Sequence, residues 1–512
     1  MIEMGYLSSF FNLILSLRVE PVVLLTMTAV MSRSIVMQQL MQDKLCQFKY
    51  KQPVDFCTQL SELESGPIKN QILADASSYL SWKESLSVLP YIIFTLFAGS
   101  WCDRFRNGRR YVLLASLIGL LLDTILLLLN TIYYEWDFKF LLISSLPSTL
   151  MGSGYVMVCV SYITANTEEG GRSFRFLVFE VFSSTGMILG FFTGPRIMAM
   201  APFILPRIGL RNCADAFLCC AILLAISVIW AWFRVLGQGG KSSSKEVIPE
   251  VNQNIINGDE ISESTISLTP SSSPDKVSLT RRCLTGMASV FALQDLRDIR
   301  QTLTMRRPDN GRRFMWIMIA VHAAVMLPLV GCMYVAFPLM ERLYKWNSQT
   351  YGLMMALAMG LRPLCLSLFV TLIVRRFPFT ELQLVMVGVL SNLLGLVCIA
   401  SITNEYGFYT ESVVAALTGA AVSGNRSFLS LIVDGSEITK VFCIMHIIEA
   451  TYPFLGSSFL STIFRATISF YPTLMFHCCA FFLLLSLAAV AHIDLARLRL
   501  RITDPPCDAS AR

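Results

Sequence analysis

Between Leu113 and Leu129 the chain reads LLASLIGLLLDTILLLL, with Asp123 as its one charge. Runs of this kind recur throughout a chain in which 54% of 512 residues are hydrophobic and 15% are charged, and mean hydropathy is +0.59. They cannot all be the inside of one water-soluble core, so they belong in a bilayer. A helix crossing hydrocarbon needs roughly 20 mostly apolar residues. That ruler marks spans near 20–40, 86–102, 111–133, 140–165, 175–198 and 214–234, then 314–340, 351–374, 381–403, 409–431, 438–463 and 471–493. A closed β-barrel also satisfies its backbone in lipid, but its strands alternate apolar and polar residues. The quoted run does not alternate. The expected fold class is an all-α membrane protein of twelve transmembrane helices.

Orientation follows from the arginines. Arg104, Arg106, Arg109 and Arg110 lie between spans two and three, Arg172 and Arg175 between four and five, Arg375 and Arg376 between eight and nine, and Arg497, Arg499 and Arg501 after span twelve. The positive-inside rule puts these alternate loops, and so both termini, in the cytoplasm. The loop at 41–85 offsets five lysines with six acids, as an outer loop should. Arg196, Arg207 and Arg211 run against the rule.

The chain divides into an interfacial segment at 1–19, a six-helix bundle at 20–235, a linker at 236–313, a second bundle at 314–493 and a tail at 494–512. The first segment lacks the basic start and cleavage site of a signal peptide. The linker is Ser-rich and too poor in apolar residues to fold alone. Its end differs. In VFALQDLRDIRQTL, Phe291, Leu293, Leu296, Ile299 and Leu303 recur at near-helical spacing with Arg297 and Arg300 between them, the pattern of a basic amphipathic helix on membrane lipid or of a connector packed on protein. Two six-span halves suit a transporter that rocks about a central site.

Most of the fifteen cysteines sit in or beside spans, where they act as small hydrophobes. No metal-ligand spacing appears, and neither metal nor cofactor is expected. Cys46 and Cys57 share the outer loop after span one, where a disulfide forms readily. A bridge is the expectation.

The stretch GSWCDRFRNGRRYVLL at 99–114 puts an acid and four arginines between two spans. Asp103, Gly108, Arg109 and Arg110 can form a conformational latch at the helix ends, or the arginines can serve topology alone. This stretch resembles the signature of the major facilitator superfamily between helices two and three, with Gly108 two residues later than usual. RVEPVVLL in span one, GRSFRFLVFEVFSSTGMILG across spans four and five, VHAAVM in span seven and NRSFLSLIVDGSEITKVF across spans ten and eleven together resemble the solute carrier 46 family. The resemblance implies a major facilitator fold of two six-helix halves and proton-coupled uptake of organic anions. That family is thought to bridge the first outer loop to the one between spans seven and eight, but ERLYKWNSQT at 341–350 has no cysteine.

Charges inside spans are costly and so are candidate functional groups. Glu180 in FRFLVFEVFSSTG, expected to be buried, can take a proton near working pH or be a hydrogen-bonded structural acid. His322 is an imidazole alone in span seven, a relay or a satisfied bundle histidine. The resemblance implies proton coupling for both. Arg426 cannot lose its charge and needs an anionic partner, either substrate or a latch to Asp434 or Glu437. The resemblance implies substrate binding. His446 and Glu449 share one face of span eleven, where they can share a proton or line a cavity together, and Arg33, Asp123 and Arg362 line a cavity or reach an interface; Arg33, His446 and Glu449 join Arg426 as expected substrate-binding residues. The Asn425 sequon falls in membrane or cytoplasm and is rejected. Gly186, Gly190 and Gly194 form a stripe for close helix packing.

The expected function is proton-coupled symport of an organic anion, with folates, peptidoglycan fragments, conjugated steroids and cyclic dinucleotides all suiting such a cavity. Alternatives are a facilitator or lysosomal exporter of degradation products, and a receptor or scaffold signalling through the linker. No phosphate loop, nucleophile constellation or metal motif suggests an enzyme, and no nucleic-acid partner is expected. The tails hold no acidic dileucine signal, which favours the plasma membrane over the lysosome. A monomer or weak homo-oligomer is expected.

Overall fold

The computed structural model describes residues 18–64, 66–104, 108–151, 154–165, 172–206, 208–235, 304–305, 310–374, 376–377, 379–433 and 438–503. The amphipathic stretch at 291–303 and the acids Asp434 and Glu437 lie outside the described residues. Among the described residues there is no strand. The main helices are α1 Glu20–Lys44, α2 Pro67–Arg104, α3 Gly108–Ile132, α4 Tyr155–Ala165, α5 Arg172–Ala199 and α6 Cys213–Trp230, then α7 Gly311–Gly331, α8 Ser348–Phe369, α9 Glu381–Ser401, α10 Thr418–Ile432, α11 Ile438–Thr467 and α12 Leu474–Thr503. Of these α1, α3, α6, α7, α8, α9 and α12 are long and apolar enough to cross a membrane.

Local chemistry starts several of them. Pro21 sits in the first turn of α1, and the buried Glu20 carboxylate accepts the N–H of Arg18 and of Val19. Asn347 caps α8 by accepting the Thr350 N–H at 2.9 Å. Thr380 and Gln383 form a reciprocal capping box on α9.

Four spans differ from their apolar runs. The second helix begins at Pro67, well before the apolar residues that start near 86. The seventh breaks at 332–335 and resumes as a short helix, Ala336–Tyr344. The tenth is divided into Tyr406–Val414 and α10. The fourth arrives in pieces, Phe140–Ile143 and Leu146–Met151 preceding α4.

Within the first half α1 packs on α5 and α6, and α3 packs on α6. Within the second, α7 packs on α11 and α12, and α9 on α10 and α12. The halves meet through α2 against α11 and α5 against α8. Their shared core joins Ile35, Leu73 and Phe191 of the first half to Phe337, Tyr351 and Leu460 of the second. Along the α2–α11 seam Ser81 Oγ donates to the Ser457 carbonyl at 3.2 Å, and the Ser85 and Ser458 hydroxyls lie 2.7 Å apart. Asp75 of α2 holds Lys49 and the Tyr50 hydroxyl of its own half and takes Arg465 of α11 at 2.8 Å.

That seam lies at the end of the bundle carrying a disulfide, Cys46–Cys57. The bridge closes a loop with a separation of 11 residues, and restricting so short a loop in the unfolded chain is worth about 3 kcal/mol. Mass spectrometry of unreduced peptides is expected to find these two cysteines joined. Two free thiols would refute the bridge.

The same end explains a misplaced basic residue. Arg211 Nε lies 3.3 Å from Asp43 and its Nη2 donates to the Thr58 carbonyl at 3.1 Å, so it is a structural cation whose partner sits across the loop.

Candidate functional site

Three side chains from three helices of the second half converge. His322 on α7 is buried, with Nε2 at 3.1 Å from Glu449 Oε1 on α11. Arg426 on α10 reaches the same Oε1 at 2.5 Å. One carboxylate oxygen therefore faces both a guanidinium and an imidazole that carries charge only when protonated. The three side chains also grade in exposure, at 0% for His322, 20% for Glu449 and 49% for Arg426, so the guanidinium stands at the mouth of the cluster. Asn425, beside Arg426, is buried and donates from Nδ2 to the Met318 carbonyl at 2.9 Å, which ties α10 to α7. Its burial agrees with rejecting the sequon.

In the first half Arg33, near the middle of α1, donates from Nη1 to the Leu120 carbonyl at 3.2 Å and contacts Thr124 Oγ1 at 3.1 Å, with Asp123 at 3.7 Å. Arg362 is paired with Glu411 at 2.8 Å.

Glu180 corrects one expectation: its side chain on α5 is exposed, not buried. Among the described residues it joins no ion pair, and the structure does not bring it to His322. The side chains of Asp103, Arg109 and His446 lie outside those described, as does any Cβ-like packing at Gly108. Arg110 is described and lies over the Trp232 ring at 4.9 Å, an attachment within the first half.

Sequence reading missed Lys83, Glu84 and Tyr334. Lys83 and Glu84 precede the apolar run of span two and read as loop, yet they lie inside α2. Ser77, Ser81 and Ser85 repeat every four residues, and Ser81 and Ser85 return hydrogen bonds to the carbonyls four residues earlier. That spacing is the helical signal the charges obscured. A cavity of about 240 Å³ near Thr58, Arg211 and Asn347 lies at the disulfide end, with Arg211 already held by its partners.

Two six-helix halves meeting along paired seams, with charged groups on helices of both, are the architecture of a membrane transporter. The family model of the Major Facilitator Superfamily matches residues 23–457, and the chain belongs to that superfamily; it is a transporter, not an enzyme. Among solved structures it resembles a POT family transporter in complex with a thioalcohol conjugated peptide, at TM-score 0.59 and 10% identity over 94% of this chain and 96% of that one. It also resembles the human organic anion transporter MFSD10 (TETRAN), at 0.56 and 15% over 92% and 99%, and the nucleoside transporter NupG, at 0.56 and 10% over 93% and 99%. Identities this low show a shared fold alone. No curated protein matches the chain by sequence.

Proposed function

We propose that the protein is a proton-coupled symporter of an organic anion, of the solute carrier 46 type. One observation carries this reading: Arg426 and His322 share a single oxygen of Glu449. While Glu449 is ionised it neutralises Arg426, and an anion from solution must compete with it. A proton taken by the His322–Glu449 pair cancels that attraction. Arg426, the most exposed of the three side chains, is then uncompensated and receives a carboxylate, which its planar fork binds bidentately. Proton and anion occupy the site together, and that is symport. Glu180, exposed on α5, supplies a second accessible acid in the other half. The disulfide supports reading the loop after α1 as non-cytoplasmic, and with it the reading that both termini and the linker are cytoplasmic; the plasma membrane is the location we propose.

The test is uptake of a panel of organic anions by transfected cells at acidic and neutral external pH. The wild type should be stimulated by acid and Glu449→Gln should not. Arg426→Gln should lose roughly thirtyfold in uptake, what about 2 kcal/mol of lost anion binding is worth. Stimulation that survives in Glu449→Gln overturns the triad mechanism. A wild type without any acid stimulation is a facilitator, and one that moves no panel member is a scaffold.

A further inference from the structure

A second cavity, of about 140 Å³, lies beside the middle of α1 and is lined by Arg33, Lys83, Glu84, Asp123, Met333 and Tyr334 among others. We propose that it is an anion subsite, taking one carboxylate of the transported solute through Arg33. The proposal rests on the transporter reading above and assigns a ligand group to a place that the triad does not include.

The first argument is how Arg33 is held. Its guanidinium is anchored by neutral acceptors, the Leu120 carbonyl and the Thr124 hydroxyl, and not by its nominal counter-ion. Asp123 Oδ2 stands 3.7 Å away, beyond hydrogen-bonding reach. Asp123 is itself pinned, with Oδ1 accepting the Ser148 N–H at 2.9 Å, while its buried Oδ2 has no hydrogen-bond partner. A fixed acid that does not close on a fixed cation leaves N–H donors for a ligand, because a guanidinium offers five in one plane.

The second argument is the other pair. Lys83 Nζ lies 3.1 Å from Glu84 Oε1, and the Tyr334 hydroxyl neighbours Glu84. Two cations and two acids thus balance around the cavity, and Arg33 holds the loose end of the arrangement. An arriving carboxylate competes with Asp123 for Arg33 and leaves the Lys83–Glu84–Tyr334 chain intact.

The third argument is position. Met333 and Tyr334 belong to the 332–335 break of the seventh span, and broken helices are where carriers of this kind build ligand sites. Residues of both halves therefore line one cavity. Its volume is that of four or five waters, at about 30 Å³ each. It holds an acidic group with a few carbons, and a larger solute must extend beyond it.

Met333→Cys puts a thiol on the cavity wall for labelling by methyl methanethiosulfonate, a neutral reagent, in vesicles holding the full-length protein. Benzoate, benzamide and benzylamine are then compared as anionic, neutral and cationic probes of one shape, with labelling of the parent protein subtracted. Benzoate should slow labelling about tenfold more than benzamide does, as one charge-assisted contact allows. Benzylamine should not protect. Protection by benzoate should vanish in Arg33→Gln, persist in part in the charge-conserving Arg33→Lys and strengthen in Asp123→Asn. Equal protection by all three probes, preference for benzylamine, protection that survives Arg33→Gln, or a thiol the reagent cannot reach each overturns the subsite. Labelling needs no transport, so acid stimulation surviving in Glu449→Gln would sink the triad mechanism and leave this result standing.

Discussion

Gly190→Leu is expected to leave almost no folded protein. A Cβ at Gly190 would lie 2.6 Å from the Thr28 carbonyl oxygen and 2.7 Å from Met31 Cβ, distances that packed carbon atoms do not adopt. The glycines on either side leave no room to slide: a Cβ at Gly186 meets the Leu24 carbonyl oxygen at 2.7 Å, and one at Gly194 meets Ser32 Oγ at 2.5 Å. The obstacles are largely backbone of α1, so α1 and α5 must separate over three turns. Overpacking ordinarily costs about 1–3 kcal/mol and exceeds that where backbones must move. The damage reaches function as well, because α1 carries Arg33 one residue beyond Ser32 and α5 carries Glu180. Fluorescence-detected size-exclusion of the tagged protein should show a collapsed main peak for Leu and an intermediate one for Gly190→Ala. A full, monodisperse Gly190→Leu peak would show that the helices are not in contact there.

Acid should close the disulfide end of the molecule, and Glu341→Gln should abolish that response. Glu341 lies between the apolar spans Gly311–Gly331 and Ser348–Ile373, on the short helix that packs against α2 of the other half. It is 2% exposed. Burial pushes its carboxyl up to about 7, while Lys69, Arg211 and the neighbouring Gln42 amide pull it down and Asp43 pushes it further up. Arg342 and Lys345 add positive charge beside Lys69. The sign follows from linkage. The closed arrangement holds the proton more tightly than an arrangement in which Glu341 meets water, so closure gains as pH falls below about 7 and that gain is complete near the ordinary carboxylate range. Between neutrality and two pH units below it, the closed-to-open ratio should rise by about fortyfold. Spin labels at Glu62→Cys and Gln349→Cys, both exposed, read the gap across the halves. The short-distance population should grow with acid in the parent and stay fixed in Glu341→Gln. An identical pH response in both proteins would assign the titration to another group.

The sites were legible in the sequence to very different degrees. Arg426, His322 and Glu449 stood out one by one, because any charge or imidazole in an apolar run is conspicuous. That they form one cluster was not legible: they come from α7, α10 and α11, and their meeting depends on the rotation of each helix about its axis, which no run of apolar residues specifies. Lys83 and Glu84 were lost for the opposite reason. They sit where α2 faces polar neighbours, so their surroundings in the sequence look like a loop. The expected burial of Glu180 failed on the same rotation: α5 turns Phe179 into the bundle and Glu180 out of it.

What the sequence determined by itself was the medium and the secondary structure. Apolar runs of bilayer length without alternation admit only helices, because in hydrocarbon every backbone N–H and C=O must be satisfied within its own segment. The glycine stripe on α5 also announced a close helix contact. The choice of partner was left to the tertiary structure, which set α1 in that stripe, opposed α2 to α11 and α5 to α8, and broke the seventh span at 332–335. These are decisions of shape and of charge pairing across hundreds of residues of chain, such as Asp75 with Arg465 or Glu341 beside Lys69. Lipid tails are as apolar as the helices they surround, so burial of apolar surface cannot choose between helix partners; close packing and polar contacts do.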